Sequence, residues 1–167
     1  ITVSFIRQEY SVHICYITSS YPDDETVRDG VPLIFYRAER FDPGVKLLNN
    51  RLRLSVNEAL VKKKAYEALL VNKEGFITEG SRSNVFFVDA KGILYTAPDR
   101  IVLAGITRKY IIDICRREGY NIVFEAVKAS ELSDFQSAFI TGTSPMVLPV
   151  KSIDNHLFNT DNGILRR

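Results

Sequence analysis

Cysteine is scarce in this chain, and the little there is forms no pattern. Cys15 and Cys115 stand far apart in the 167 residues, each inside an apolar stretch. They read as two buried reduced thiols of a cytoplasmic protein, not as a disulfide framework. Histidine is equally sparse: His13 and His156 are isolated and lack metal-ligand spacing, so no metal is expected. An excess of one charge is missing as well. The balance of 22 Lys+Arg against 20 Asp+Glu leaves +2, and no basic stripe interleaves with aromatics, so nucleic acid is not an expected partner. Lys62-Lys63-Lys64, the single cationic run, falls in a helical stretch and reads as a solvated face. No apolar run approaches the roughly 20 residues of a membrane-spanning helix, and no signal peptide is visible. With 46% hydrophobic and 25% charged residues, the chain has the length and apolar content for one compact domain.

Both ends are unusual. The chain starts at Ile1, without methionine, directly inside the alternation Ile1, Val3, Phe5. It stops at Leu165-Arg166-Arg167, shortly after Asn162-Gly163. The expectation is a piece of a longer protein. Between the ends, the pattern predicts a buried strand over 12–17, surface turns at Pro22-Asp23-Asp24-Glu25 and Asp29-Gly30, and a strand over 31–36. Pro32 favours an edge or strand-start position there. A helix is predicted from Asn49 or Asn50 to about Ala65, with Leu52, Val56, Leu60 and Val61 on one face. Two hairpins follow, turning at Lys73-Glu74-Gly75 and Ala90-Lys91-Gly92. A second helix opens after Gly105 and ends near Gly119, its apolar face expected at Tyr110, Ile111, Ile114 and Cys115. Strands are then expected over 121–127, 137–141 and 147–153, with a short helix from Ser130. Tight turns between neighbouring strands favour a mixed α/β (α+β) domain on a largely antiparallel sheet.

Four features can carry chemistry. Lys46 follows a Pro-Gly break and has apolar neighbours Val45, Leu47 and Leu48. Such surroundings disfavour the ammonium form and free an amine to attack a carbonyl. Glu79, in Thr78-Glu79-Gly80-Ser81-Arg82-Ser83-Asn84, offers a carboxylate for a protonated ring nitrogen, or else a turn acceptor. Gly105-Ile106-Thr107 opens a helix, where free amides and a hydroxyl can hold a phosphate or simply cap the helix. Thr141-Gly142-Thr143-Ser144 places hydroxyls and amides in a turn and has the same two readings. An amine, an acid for a ring nitrogen and two phosphate-binding elements together match what pyridoxal 5′-phosphate requires.

These segments resemble the fold-type IV pyridoxal-phosphate enzymes, the class IV aminotransferases, in order and spacing. The family includes branched-chain and D-amino-acid aminotransferases and 4-amino-4-deoxychorismate lyase. The motifs are Lys46-Leu47-Leu48-Asn49, the run from Thr78 to Phe86, Leu103-Ala104-Gly105-Ile106-Thr107-Arg108 and Thr141-Gly142-Thr143-Ser144. The resemblance implies the larger, pseudo-barrel domain of that fold over 12–167, with 1–11 a remnant of the smaller N-terminal domain. It implies Lys46 as Schiff-base lysine and proton carrier, Glu79 as partner of the pyridine nitrogen, and Leu103 packed on one ring face. Gly105, Ile106, Thr107, Gly142, Thr143 and Ser144 are implied around the phosphate. The implied reaction moves an amino group between an amino acid and a 2-oxo acid. Two alternatives are a lyase that releases pyruvate and a non-catalytic fragment. Family members are usually homodimers. The sequence departs from the branched-chain pattern after the lysine, where Asn49-Asn50-Arg51-Leu52 stands in place of a nearby tyrosine, and no residue is assignable as the phosphate-binding arginine.

Overall fold

The computed structural model describes residues 2–6, 9–13, 21–40 and 50–164. Near the N-terminus, β1 (Thr2–Ile6) and β2 (Glu9–His13) pair antiparallel, with Thr2 opposite His13 and Ile6 opposite Glu9. The alternation that begins the sequence belongs to β1, and the first residues of the strand expected over 12–17 end β2. The stretch expected as a turn at 22–25 instead opens a short helix, α1 (Asp24–Asp29). The cause is capping chemistry. Asp23 Oδ1 accepts the Thr26 amide at 2.8 Å, and Asp24 and Glu25 place negative charge in the first turn. Gly30 ends the helix at φ 74°, in a region that favours glycine.

The remaining strands are β3 (Val31–Arg37), β4 (Glu67–Val71), β5 (Ile77–Gly80), β6 (Asn84–Asp89), β7 (Leu94–Tyr95), β8 (Ile122–Val123), β9 (Phe135–Gly142), β10 (Met146–Ile153) and β11 (His156–Leu157). They form one nine-stranded sheet ordered β5-β4-β3-β10-β9-β6-β7-β8, with β11 paired to β10. Its pairings are antiparallel except β3 with β4, β3 with β10, and β7 with β8. The parallel step from β3 to β4 requires a crossover, which α2 (Asn50–Lys63) occupies. Pro32 stands near the start of β3, as expected, but the strand is central. Its missing N–H falls where the β3–β10 register shifts between Val150 and Ser152.

The sheet curls into a half-barrel. Leu33, Leu69, Ile77, Val85, Ile140 and Leu148, from six strands, meet in one interior cluster. Gly80 donates to the Ser83 carbonyl at 2.7 Å, which returns the edge strand β5 toward β6. Helices cover the outside. Val56 and Leu60 of α2 pack on Ile34 and Ala68, while Lys62 and Lys63 are exposed, as the cationic run suggested. Ile112 and Cys115 of α3 (Ile106–Arg117) pack on Phe86, Val88, Leu94 and Phe139. Cys115 is a buried free thiol whose pKa burial pushes up; Cys15 lies outside the described residues.

Val61, expected on the apolar face of α2, is 80% exposed, and the apolar face of α3 differs as well. The buried residues of α3 are Arg108, Ile112 and Cys115, whereas Tyr110 is 66% and Ile114 42% exposed. Hydropathy could not reveal that Arg108 turns inward, where Nη1 pairs with Asp99 and Nη2 donates to the Ala97 carbonyl, while Nε has no partner among the described residues. The strand expected over 121–127 shrinks to the two residues of β8, and the short helix at 129–134 is a 3-10 turn.

Phe86 is fully buried and stacks on its cross-strand partner Phe139 with ring centroids 4.9 Å apart, within the outer cluster under α3. Phe86→Ala should lower unfolding stability by about 3–5 kcal/mol, read as a lower urea midpoint at unchanged m-value.

Candidate functional site

Glu79 owes its position to an irregularity in β5. Leu69 pairs with Gly80 and Val71 with Ile77, so Thr78 and Glu79 together oppose Leu70. Two residues against one make a β-bulge, a device that re-aims a side chain. Plain alternation would send Glu79 to the same face as Ile77, in the interior cluster. Instead its carboxylate meets Arg40 and the chain at Leu103. Oε1 lies 2.7 Å from Arg40 Nε, whose N–H is not aligned on it as a hydrogen bond, and Oε2 accepts the Leu103 amide at 3.1 Å. Arg40 also donates from Nη2 to the Ser81 carbonyl at 3.0 Å. Glu79 is only 2% exposed. Its pKa is raised to about 7: burial pushes it up, and the Arg40 charge and the Leu103 amide offset only part of that rise.

The turn after Glu79 is held from below by a second buried carboxylate, Glu67 on β4. Glu67 Oε1 accepts the Ser81 hydroxyl at 2.7 Å and the Ala68 amide at 2.8 Å. Its Oε2 accepts the Arg82 amide at 3.1 Å and the Ser83 hydroxyl at 3.2 Å. Sequence reasoning passed over Glu67 as the first residue of a strand. An acid opening an otherwise apolar strand, fourteen positions before a Ser-Arg-Ser turn, was the available signal.

Asn84 closes the turn, and it is buried. Its Nδ2 donates to the Leu103 carbonyl at 2.8 Å, so one peptide residue is gripped on both sides. Leu103 N–H goes to Glu79 and Leu103 C=O to Asn84. The Gly105 amide also reaches that carbonyl at 2.8 Å. A Cβ on Gly105 would come within 2.7 Å of Asn84 Oδ1, which explains glycine at this point. Gly105 is the N-cap of α3, and no side chain among the described residues caps the helix. The first-turn amides at Ile106 and Thr107 are therefore left for a ligand or water. Leu103 and Thr107 are half-buried, and the Ile106 side chain is exposed.

The last segment lies beside this one. Asn84 pairs with Thr141 across β6 and β9. Thr141 is fully buried, and its Oγ1 has no hydrogen-bond partner among the described residues. A Cβ on Gly142 would sit 3.4 Å from the Arg82 carbonyl and 3.1 Å from Pro145, so this turn approaches the turn after Glu79 closely. Thr143 and Ser144 are exposed at its tip. The structure thus brings together Glu79, Leu103, Gly105–Thr107 and Gly142–Ser144. Lys46 lies outside the described residues, as does the break at Asp42-Pro43-Gly44. Arg40, whose role the sequence left open, joins the site through Glu79.

The curled half-barrel sheet matches the fold of fold-type IV aminotransferases. It superposes on a T.th. branched-chain amino acid aminotransferase, solved with pyridoxamine 5′-phosphate, at a TM-score of 0.79 and 30% identity. That match covers 90% of this chain and 52% of the other. The same enzyme solved with N-(5′-phosphopyridoxyl)-L-glutamate gives 0.72 at 32% identity, covering 80% and 46%. D-alanine aminotransferase of Bacillus licheniformis is 36% identical over 111 residues, 66% of this chain and 38% of that protein. Residues 4–153 match the amino-transferase class IV family, and the chain belongs to it. It spans about half the length of the curated relatives it matches. Among the described residues, no helix is long and apolar enough to cross a membrane.

The raised pKa of Glu79 has a direct consequence for stability. The unfolded carboxyl loses its proton near the ordinary 4.5, whereas the folded one keeps it to about 7. Between these values the native state binds more protons, so stability falls as pH rises from about 4.5 to about 7 and is level above. Glu79→Gln should remove a fall on the order of 3 kcal/mol. Chemical denaturation of both proteins at pH 5 and pH 8, without added ligand, measures that difference.

Proposed function

We propose that this chain is the larger, cofactor-binding domain (12–167) of a pyridoxal-phosphate-dependent aminotransferase, with 1–11 the end of a smaller domain. The observation that carries the reading is the convergence of Glu79, Leu103, the uncapped start of α3 and the Gly142 turn. The fit to the cofactor rests on four features. A buried acid suits a protonated ring nitrogen. The α3 amides lack a cap. A Cβ would crowd Asn84 at Gly105 and Pro145 at Gly142, and the Thr141 hydroxyl is buried without a partner among the described residues.

When bound, pyridoxal 5′-phosphate supplies an electrophilic carbon and an electron-withdrawing ring. Glu79 keeps a proton on the ring nitrogen by presenting a buried negative charge to it. A carboxyl poised near neutrality can do this because a cationic neighbour favours its charged form. Leu103 offers an apolar surface for one ring face. The amides of Ile106 and Thr107, with the hydroxyls and amides of Thr143 and Ser144, hold the phosphate, and Gly105 and Gly142 let the backbone approach. Lys46 supplies the amine that anchors the cofactor, and its Nζ takes and returns the substrate Cα proton.

The named relatives are aminotransferases, which supports amino-group transfer between an amino acid and a 2-oxo acid over elimination of pyruvate. A homodimer in the cytoplasm completes the reading; the scarcity of cysteine supports that compartment. The test is amino transfer from D-alanine and from branched-chain L-amino acids to 2-oxoglutarate, with and without pyridoxal 5′-phosphate. Cofactor-dependent transfer is expected, with Lys46→Ala slowing it by about 100-fold or more and abolishing the visible absorbance of the bound cofactor. Pyruvate release from aminodeoxychorismate without amino transfer, or an unaffected Lys46→Ala variant, would overturn the reading.

A further inference from the structure

Asn84 has no part in the chemistry just described, yet it touches three parts of the site. It is 6% exposed, donates to the Leu103 carbonyl at 2.8 Å, opposes Thr141 in the sheet, and fills the space beside Gly105. The contact with Leu103 also settles its orientation. A carbonyl can only accept, so Nδ2 faces Leu103 and Oδ1 faces Gly105. The residues at 103–105 connect a 3-10 turn at Asp99–Ile101 to α3. Glu79 fixes the amide side of Leu103, and Asn84 fixes its carbonyl side, from which the chain continues into the N-cap of α3.

We infer that Asn84 is a positioning residue that sets the aim of the first turn of α3 toward the cofactor's phosphate, an inference that rests on the functional reading above. It acts through the Leu103 carbonyl and through its packing on Gly105, without touching cofactor or substrate. The same contact makes Gly105 obligatory: a side chain there meets Asn84 Oδ1. Asn84 and Gly105 therefore form one unit, and the effects of changing them are coupled.

The experiment uses three probes on the whole protein: pyridoxal 5′-phosphate, pyridoxal without its phosphate, and amide hydrogen exchange in the unliganded state. Asn84→Ala should weaken pyridoxal 5′-phosphate binding by about tenfold while changing pyridoxal binding by no more than about twofold. A general loss of structure would weaken both alike. Exchange at the Leu103 and Gly105 amides should accelerate by about tenfold, with the Leu69 and Phe86 amides unchanged. Asn84→Asp keeps the shape but loses the donor, and should behave like Asn84→Ala. Gly105→Ala should weaken pyridoxal 5′-phosphate binding by about fivefold in the wild-type background and by no more than about twofold in Asn84→Ala. If Asn84→Ala does not fold, Asn84→Asp and Gly105→Ala carry the test. Equal weakening of both ligands, or unchanged exchange at Leu103 and Gly105, overturns the inference. If the wild type binds no pyridoxal 5′-phosphate, the cofactor reading fails, and the exchange measurement still decides whether Asn84 holds this segment.

Discussion

A carboxylate buried at Glu79 shapes everything around it. Charge removed from water is costly unless it is paired and hydrogen-bonded. Glu79 has one cation at 2.7 Å and one amide at 3.1 Å, and its pKa still rises to about 7. The acid is therefore incompletely compensated by the described residues. Such shortfalls cluster where a ligand completes the set, and the proposed function assigns a protonated ring nitrogen to that place. The β-bulge that re-aims Glu79, the Arg40 bridge to Ser81 and the Glu67 clamp beneath the turn all serve to hold that carboxylate in one place.

The peptide of Leu103 joins the two ends of the site. Its amide answers to the acid, and its carbonyl answers to Asn84, beside the helix whose uncapped amides suit a phosphate. A shift at either end is passed to the other through Leu103, whose amide and carbonyl belong to successive peptide planes hinged at its Cα. The strands beneath supply rigidity. The segments that bear the site hang from β5, β6 and β9, whose interior side chains share one cluster, so the rim is only as mobile as the core allows.

Much of this architecture was legible in the sequence, because local periodicity and turn chemistry agree with the final fold. The α2 helix, the strands β3, β4, β6, β9 and β10, and the left-handed glycines at Gly75, Gly92 and Gly119 lie where pattern places them. The site motifs were legible as types of residue. Their partners were not, because pairing register and long-range contacts leave no local trace. Nothing near Glu79 announces Arg40, and alternation misplaces its side chain until the bulge opposite Leu70 is seen. Glu67 looked like an ordinary strand residue until the hydroxyls and amides that satisfy it were in view, and the sequence gives no sign that Asp99 and the Ala97 carbonyl draw Arg108 inward. The turn expected at 22–25 became a helix because an Asp cap outweighed the turn composition.

Glu79 is an acid destabilised by burial and poised for a cationic partner. A carbon-13 NMR titration of its side-chain carboxyl, with the assignment made by Glu79→Gln, measures this directly. The account predicts a midpoint near 7 in the free protein and a carboxylate held charged to well below that pH once pyridoxal 5′-phosphate is bound. A midpoint at the ordinary value of 4.5 in the free protein, unmoved by the cofactor, would contradict it.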